Sequence, residues 1–261
     1  MKDCREEWYD KDAKVAVTIV DVTGAAQELA RGHLAGPTST HFLTEALASV
    51  ALLGGEMSEK DETVILQMKC KGPLGGINVE CTSEGTLRGY AEKKVLDDFD
   101  GVGKPDARKV IGETQYQVTR SVPGRILSQG ISASIDGYLA GSLQRKACIR
   151  TEVAVSDEVE ILEARGILVE DMPDAKGELK CCHVADPKSL SVASRNILKQ
   201  LGLENAELRK TTPLRFACRC SPDRAIAMLA ALSEDERQSL PPTIDITCHM
   251  CGKTFTVKTK E

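Results

Sequence analysis

TVILQMKCKGPLGGINVECTSEGTLRGYAE, residues 63–92, decides the fold class. Residues 63–70 alternate apolar and polar, the period of a strand with one face on a core. GPLGG (72–76) supplies turn chemistry, and INVECT (77–82) resumes the strand pattern. Ser83-Glu84-Gly85 makes a second turn before TLRGYAE (86–92). Three short strands joined by tight turns make an antiparallel meander, since parallel neighbours need long crossovers.

Working outward, AKVAVTIVDV (13–22) is rich in β-branched residues and reads as another strand. Apolar residues at 42, 43, 46, 47, 50 and 53 form a helical stripe that ends at Gly54-Gly55. VLDDFDGVGKPDARK (95–109) carries loop chemistry, and TQYQVTR (114–120) is a strand. Ile131, Ile135, Leu139 and Leu143 recur every four residues, which predicts a helix over 129–145. TEVAVSDEVEILEARGILVED (151–171) supplies closing strands. The class is therefore α+β, with a mixed or antiparallel sheet core and helices.

The core spans 1–172. DMPDAKG (171–177) opens a linker that extends over 173–213. Within it, Asp186-Pro187 starts a helix bearing Leu190, Ala193, Ile197, Leu198 and Leu201, and Gly202 ends it. The polar stretch ENAELRKTTP (204–213) leads to a small module at 214–261. There, Ser221-Pro222 starts a helix, Ser233 and Glu236 have capping-box spacing, and TIDIT (243–247) reads as a strand.

The chain has 261 residues, 41% apolar and 28% charged, with formal net charge −5. A chain of this length can bury roughly three quarters of its unfolded surface. No apolar run reaches the length of a membrane span. MKDCREEWYDKD, a polar and acidic start, lacks a secretory signal, so a cytoplasmic location is expected. The negative balance argues against nucleic acid as a partner. In the module, seven Lys/Arg face six Asp/Glu, and four thiolates with Zn²⁺ would subtract two more charges. That is a poor footprint for phosphates.

Ten cysteines are present. In a reducing cytosol such thiols stay free or bind metal. Cys70, Cys81 and Cys148 read as small buried hydrophobes, and Cys4 as part of a frayed terminus. Cys181 and Cys182 are adjacent, too strained a pair for a disulfide with each other. Cys218-Arg-Cys220, 27 residues, then Cys248-His-Met-Cys251 is a different matter: two close pairs bracket one helical unit. Four thiolates surround one Zn²⁺ tetrahedrally, and Gly252 suits the turn of a C-x-x-C knuckle. His249 reads as exposed or as a neighbour of the ligands, and His183 as a possible substitute ligand. A module this small, with only Phe216 and Phe255 as aromatics, depends on its metal for folding. Thiolates are also the form that peroxide attacks, so oxidation would remove the ligands.

The cysteine pattern resembles that of the redox-regulated 33-kDa heat-shock chaperone family, which carries C-x-C and then C-x-x-C at its C-terminus. LQMKCKGPLGGINVECTSEGTLRGY (66–90) and ILSQGISASIDGYLAGSLQRK (126–146) resemble core segments of the same family, in the same order. The resemblance implies an ATP-independent holdase, inactive when reduced and zinc-bound. Oxidation would form Cys218–Cys220 and Cys248–Cys251 disulfides, expel zinc, unfold the module and linker, and expose apolar surface to unfolding client proteins. Homodimerisation of the oxidised form is also implied. A constitutive zinc-stapled interaction module is the alternative. Ser39, His41 and the other histidines form no nucleophile–base pattern, and GPLGG is no phosphate loop, so an enzyme is not expected.

Overall fold

The computed structural model describes residues 3–101, 105–173, 175 and 190–259. The meander is present as β3 (Thr63–Cys70), β4 (Gly76–Thr82) and β5 (Thr86–Ala91), paired antiparallel throughout. β6 (Thr114–Val122) and β7 (Arg125–Ser132) extend it on the β3 side, and β11 (Arg215–Phe216) adds in parallel beside β5. A second sheet has the order β10-β1-β2-β9-β8, formed by β1 (Cys4–Asp10), β2 (Val15–Asp21), β8 (Lys146–Val155), β9 (Ile161–Asp171) and β10 (Glu207–Pro213). The α+β class with antiparallel and mixed sheets is thus observed.

α2 (Pro37–Leu53) lies between the sheets. It starts with Pro37 in the first turn, where a missing N–H costs nothing, and Asp100 accepts from the Thr38 N–H at 3.0 Å. Fifteen of its seventeen residues are buried. A helix covered all round needs no polar face, which is why its apolar residues are not confined to one stripe. Together with α1 (Thr23–His33), α2 joins the inward residues of both sheets, among them Val20, Leu66, Val79 and Leu168, in one core.

The other face of the five-stranded sheet has a separate cover. Trp8, Val15, Val17, Ile19, Ile167 and Val169 pack beneath Leu190, Ile197, Leu198, Leu201 and Leu203. α5 (Ser194–Gln200) carries the middle of that cover.

Several expectations need correction. Residues 3–12 are not a frayed terminus: Cys4–Asp10 is a strand hydrogen-bonded on both sides. The signal was hidden because one inward residue is Arg5, 1% exposed, whose Nη1 donates to the Ala51 carbonyl at 3.2 Å. Its pairing with β10 also slips between Glu7 and Trp8, breaking the alternation. ENAELRKTTP contributes a strand to this sheet edge and is not simply a connector. The helix expected over 129–145 is two elements, β7 and α4 (Ile135–Gly141). Ser134 accepts from the Gly137 N–H at 2.9 Å, so the helix cannot begin before it, and the fourfold recurrence across residue 132 was fortuitous. The linker helix is shorter than expected, and Asp186, Pro187, Cys181, Cys182 and His183 lie outside the described residues. Cys81 is buried, as expected, and Cys70 is half-buried. Cys148 is not a free apolar thiol but is disulfide-bonded. Frequency of burial carries no information on pairing, which depends on Cα separation in space.

Candidate metal centre

Five short elements bring the four cysteines together. After β11, the Ala217 N–H donates to the Leu87 carbonyl at 3.1 Å, which sets Cys218 beside β5. Cys220 then precedes α6 (Pro222–Ala230), whose N-terminus is capped by Ser221 accepting from the Arg224 N–H. α7 (Glu234–Ser239) begins with the expected capping box of Ser233 and Glu236. β12 (Thr243–Thr247) and β13 (Thr254–Lys258) form a hairpin, and Cys248–Lys253 is its turn. The Cys248 N–H donates to the Lys253 carbonyl at 2.9 Å and the Gly252 N–H to the Cys248 carbonyl at 2.8 Å.

The Sγ atoms of Cys218, Cys220, Cys248 and Cys251 all lie within 4.8 Å of one another. Cys218 is 3.8 Å from Cys248, and Cys220 is 3.4 Å from Cys251. A tetrahedron with metal–sulfur bonds of about 2.3 Å has sulfur–sulfur edges of about 3.8 Å. The set therefore fits a tetrahedral thiolate site. Its surroundings favour thiolates at one sulfur. Burial opposes ionisation of Cys218, but the Cys220 backbone N–H and the Arg88 guanidinium (3.6 Å) outweigh it, holding this thiol at about 7. Burial and neighbouring sulfurs push Cys251 up, although the Lys253 N–H donates to it. Four clustered thiols titrate as a unit, and a cation at their centre would draw all four to the thiolate form.

The module's own core is slight: Ala225, Phe255 and Val257, with Cys220, Leu229 and Ile246 against them. Ile226 and Met228 stay more than half exposed. The cysteine turn also rests on the core domain. Gly252 has φ +73°, the left-handed region suited to glycine, and a Cβ there would meet the Gly32 carbonyl oxygen at 1.9 Å. A Cβ on Gly32 would meet the Cys251 carbonyl oxygen at 2.4 Å. The end of α1 and the cysteine turn thus touch backbone to backbone. Beside them the Gly89 N–H donates to the Met250 carbonyl at 3.3 Å, and His33 Nε2 donates to the Gly89 carbonyl at 2.8 Å. His249 is exposed and meets the Tyr90 ring edge-on at 5.8 Å between centroids.

Arg88 and Glu80 escaped sequence reasoning. Glu80, buried on β4, accepts from Arg88 and from Arg219 (2.9 Å). Arg88 in turn donates to Cys218, so a core ion pair reaches a sulfur of the cluster. A lone Arg-Gly-Tyr in a strand carries no sign of this. Cross-strand pairing of Arg88 with Glu80 was available from the hairpin register, but the tie to Cys218 exists only in three dimensions. Elsewhere, His41 sits 3.4 Å from Glu45 and the Ser39 hydroxyl donates to the Lys93 carbonyl.

A family model described as Hsp33 protein matches residues 7–258. A 33 kDa chaperonin of Thermus thermophilus is 28% identical, over 94% of this chain and 81% of its own length. That of Oceanobacillus iheyensis is 27% identical, over 98% of this chain and 96% of its own. Among solved structures, the 33 kDa chaperonin (heat shock protein 33 homolog) from Thermotoga maritima superposes with a TM-score of 0.89. It is 20% identical, with 99% of this chain and 96% of that one covered.

Proposed function

The chain belongs to the Hsp33 family, a family of chaperones, and on that footing we propose that it is an ATP-independent holdase switched by oxidation of its four clustered cysteines. The observation that carries the proposal is the cluster itself: four free sulfurs within 4.8 Å, held on a module with almost no core of its own. Cys218, Cys220, Cys248 and Cys251 would hold one Zn²⁺, which supplies charge neutralisation and a fixed tetrahedral crosslink. Structural zinc contributes about 10–16 kcal/mol of apparent folding free energy in small modules. Without it, three buried apolar residues cannot offset the chain entropy of the module.

In this reading the chain divides into a core at 1–172, a linker at 173–213 and the cysteine module at 214–261, with Glu207–Pro213 lent to the core sheet. Each disulfide forms when a pair of thiolates gives two electrons to an oxidant such as peroxide, which takes two protons from solvent and is reduced to water. Cys218 pairs with Cys220 and Cys248 with Cys251. The sulfurs so bonded no longer serve as thiolate ligands, and the module unfolds. Its turn then leaves Gly32 and Gly89, and the linker cover over Trp8, Val17 and Ile167, joined to the module through β10, detaches with it. Unfolding clients bind the bared apolar face, and oxidised chains associate in pairs. The setting is the cytoplasm; among the described residues no helix is long and apolar enough to cross a membrane.

The test is metal analysis with thiol counting. Reduced protein expressed with zinc should contain one zinc per chain, and Cys248→Ser/Cys251→Ser should contain none. Zinc absent from the wild type, or retained by the double variant, would overturn the assignment.

A further inference from the structure

With all four clustered sulfurs held as thiolates, ionisation no longer separates them, and an oxidant selects by access and by the charge left on each sulfur. An N–H donated to a thiolate takes up part of that charge and lowers its nucleophilicity. The four sulfurs differ on both counts. Cys218 accepts from the Arg88 guanidinium at 3.6 Å and from the Cys220 backbone N–H. Cys251 accepts from the Lys253 N–H and is 5% exposed. Cys220 and Cys248 are half-buried, and among the described residues no N–H donor reaches either sulfur.

Open space divides the sulfurs in the same way. A cavity of about 500 Å³ between α6, the β12–β13 hairpin and β5 has Cys220 and Cys248 in its wall, but neither Cys218 nor Cys251. Met228, Ile246 and Phe255 also line it, and a neutral hydroperoxide enters such a wall without the cost of desolvating a charge. A second cavity of about 540 Å³, lined by Tyr90, Lys94 and His249, reaches Cys248 alone of the four. Cys248 is thus approached from two sides.

We propose that the two sulfurs of each pair have different parts: Cys248 and Cys220 are the atoms the oxidant attacks, and Cys251 and Cys218 are the sulfurs that close on them. This rests on the oxidation switch proposed above and names the atoms at which it starts. The Cys248 thiolate attacks one oxygen of a hydroperoxide, the O–O bond breaks, and a sulfenic acid forms as hydroxide or alkoxide leaves. The Cys251 thiolate then attacks the Cys248 sulfur, the S–S bond forms, and hydroxide leaves. Each leaving anion takes a proton from solvent, and two electrons pass from the sulfur pair to the peroxide. Cys220 is attacked in the same way, and Cys218 closes on it when the module opens. Arg88 is a positioning residue in this scheme. Glu80, buried and bonded to both Arg88 and Arg219, aims the Arg88 guanidinium at Cys218 and keeps that sulfur out of the first attack.

Alkylation ranks the sulfurs without any oxidant, so it is read apart from the switch. Full-length, reduced, zinc-loaded protein receives a pulse of iodoacetamide short enough that few chains carry more than one label, and the labelled cysteines are mapped by mass. Among the four, Cys248 should lead and Cys220 follow, with Cys218 and Cys251 behind. Arg88→Met, in which Glu80 keeps Arg219, should speed labelling of Cys218 about tenfold, the rate equivalent of one hydrogen bond to a charged group, and leave Cys248 unchanged. A merely loosened module would speed all four. Peroxide with dimedone should trap sulfenic acid at Cys248 and Cys220. Labelling led by Cys218 or Cys251, equal rates at all four, a common rise in Arg88→Met, or dimedone on Cys218 or Cys251 would overturn the proposal. Peroxide that leaves zinc and the four thiols untouched, with the alkylation order as expected, would overturn the switch and not the ranking of the sulfurs.

Discussion

Glu62 has no exposed surface and is held by three donors: Arg120 Nε at 2.6 Å and the backbone N–H groups of Ser58 and Glu59 at 3.0 and 3.1 Å. Burial alone would raise its pKa, but these hydrogen bonds outweigh it and hold the carboxyl below the ordinary range. An unfolded glutamate titrates near about 4.3. The stability Glu62 contributes is therefore complete above that value and is lost as pH falls towards the lower folded value. Glu62→Gln should remove about 3 kcal/mol at neutral pH, because it leaves Arg120 without its counter-charge. Urea melts from pH 7 to pH 3 should show a shallower acid-side loss in the variant; parallel curves would contradict the assignment. Among the cysteines, C-x-x-C closes a larger and less strained ring than C-x-C. Cys248–Cys251 should therefore form first, and Cys218–Cys220 should follow once the module opens, with the steeper temperature dependence of an unfolding step. Thiol trapping with mass mapping at two temperatures reads the order; Cys218–Cys220 first, or equal temperature dependence, would contradict it. The four-cysteine cluster was legible because paired cysteines are rare without a reason. The role of Arg88 was not, because it depends on a residue distant in sequence, and no spacing in the sequence marks Cys148 as paired.

At the level of elements, α5 holds the key position. A seven-residue helix is not stable alone in water, so it persists only through Ile197, Leu198 and Leu201 seated on Trp8, Val17 and Ile167. Ile197→Asp would bury a charge at a site 4% exposed and should detach this cover. The account predicts that the reduced, zinc-loaded variant suppresses client aggregation without oxidant. Suppression that still waits for peroxide would show that this face is not the client surface. Elements were legible in the sequence where one face was apolar and the other wet. The β3–β5 meander is of that kind; α2 was legible from apolar residues at helical spacing although it is buried all round, and α6 and α7 from their capping residues. β1 was missed because its inward set includes Arg5, and β10 because most of its residues are exposed on an edge. α1 was missed because its buried positions are largely alanine, a weak hydrophobic signal.

The whole molecule joins a small four-cysteine module, a thin helical cover and a two-sheet core. The core is built mainly on Leu, Val, Ile and Ala, with α2 through its middle. The module has only Ala225, Phe255 and Val257 buried in a cluster of its own, and the two meet at a backbone contact between Gly32 and the Cys248–Gly252 turn. Loss of order in one part can therefore bare surface on another without unfolding both. The most direct test of this coupling follows three quantities in one sample treated with peroxide at raised temperature: zinc released, thiols lost from Cys218, Cys220, Cys248 and Cys251, and suppression of aggregation of a heat-denatured client. The account predicts that all three rise together and that a reductant with zinc reverses them. Full client protection with zinc still bound and the four thiols intact, or complete zinc release with no gain in protection, would contradict it.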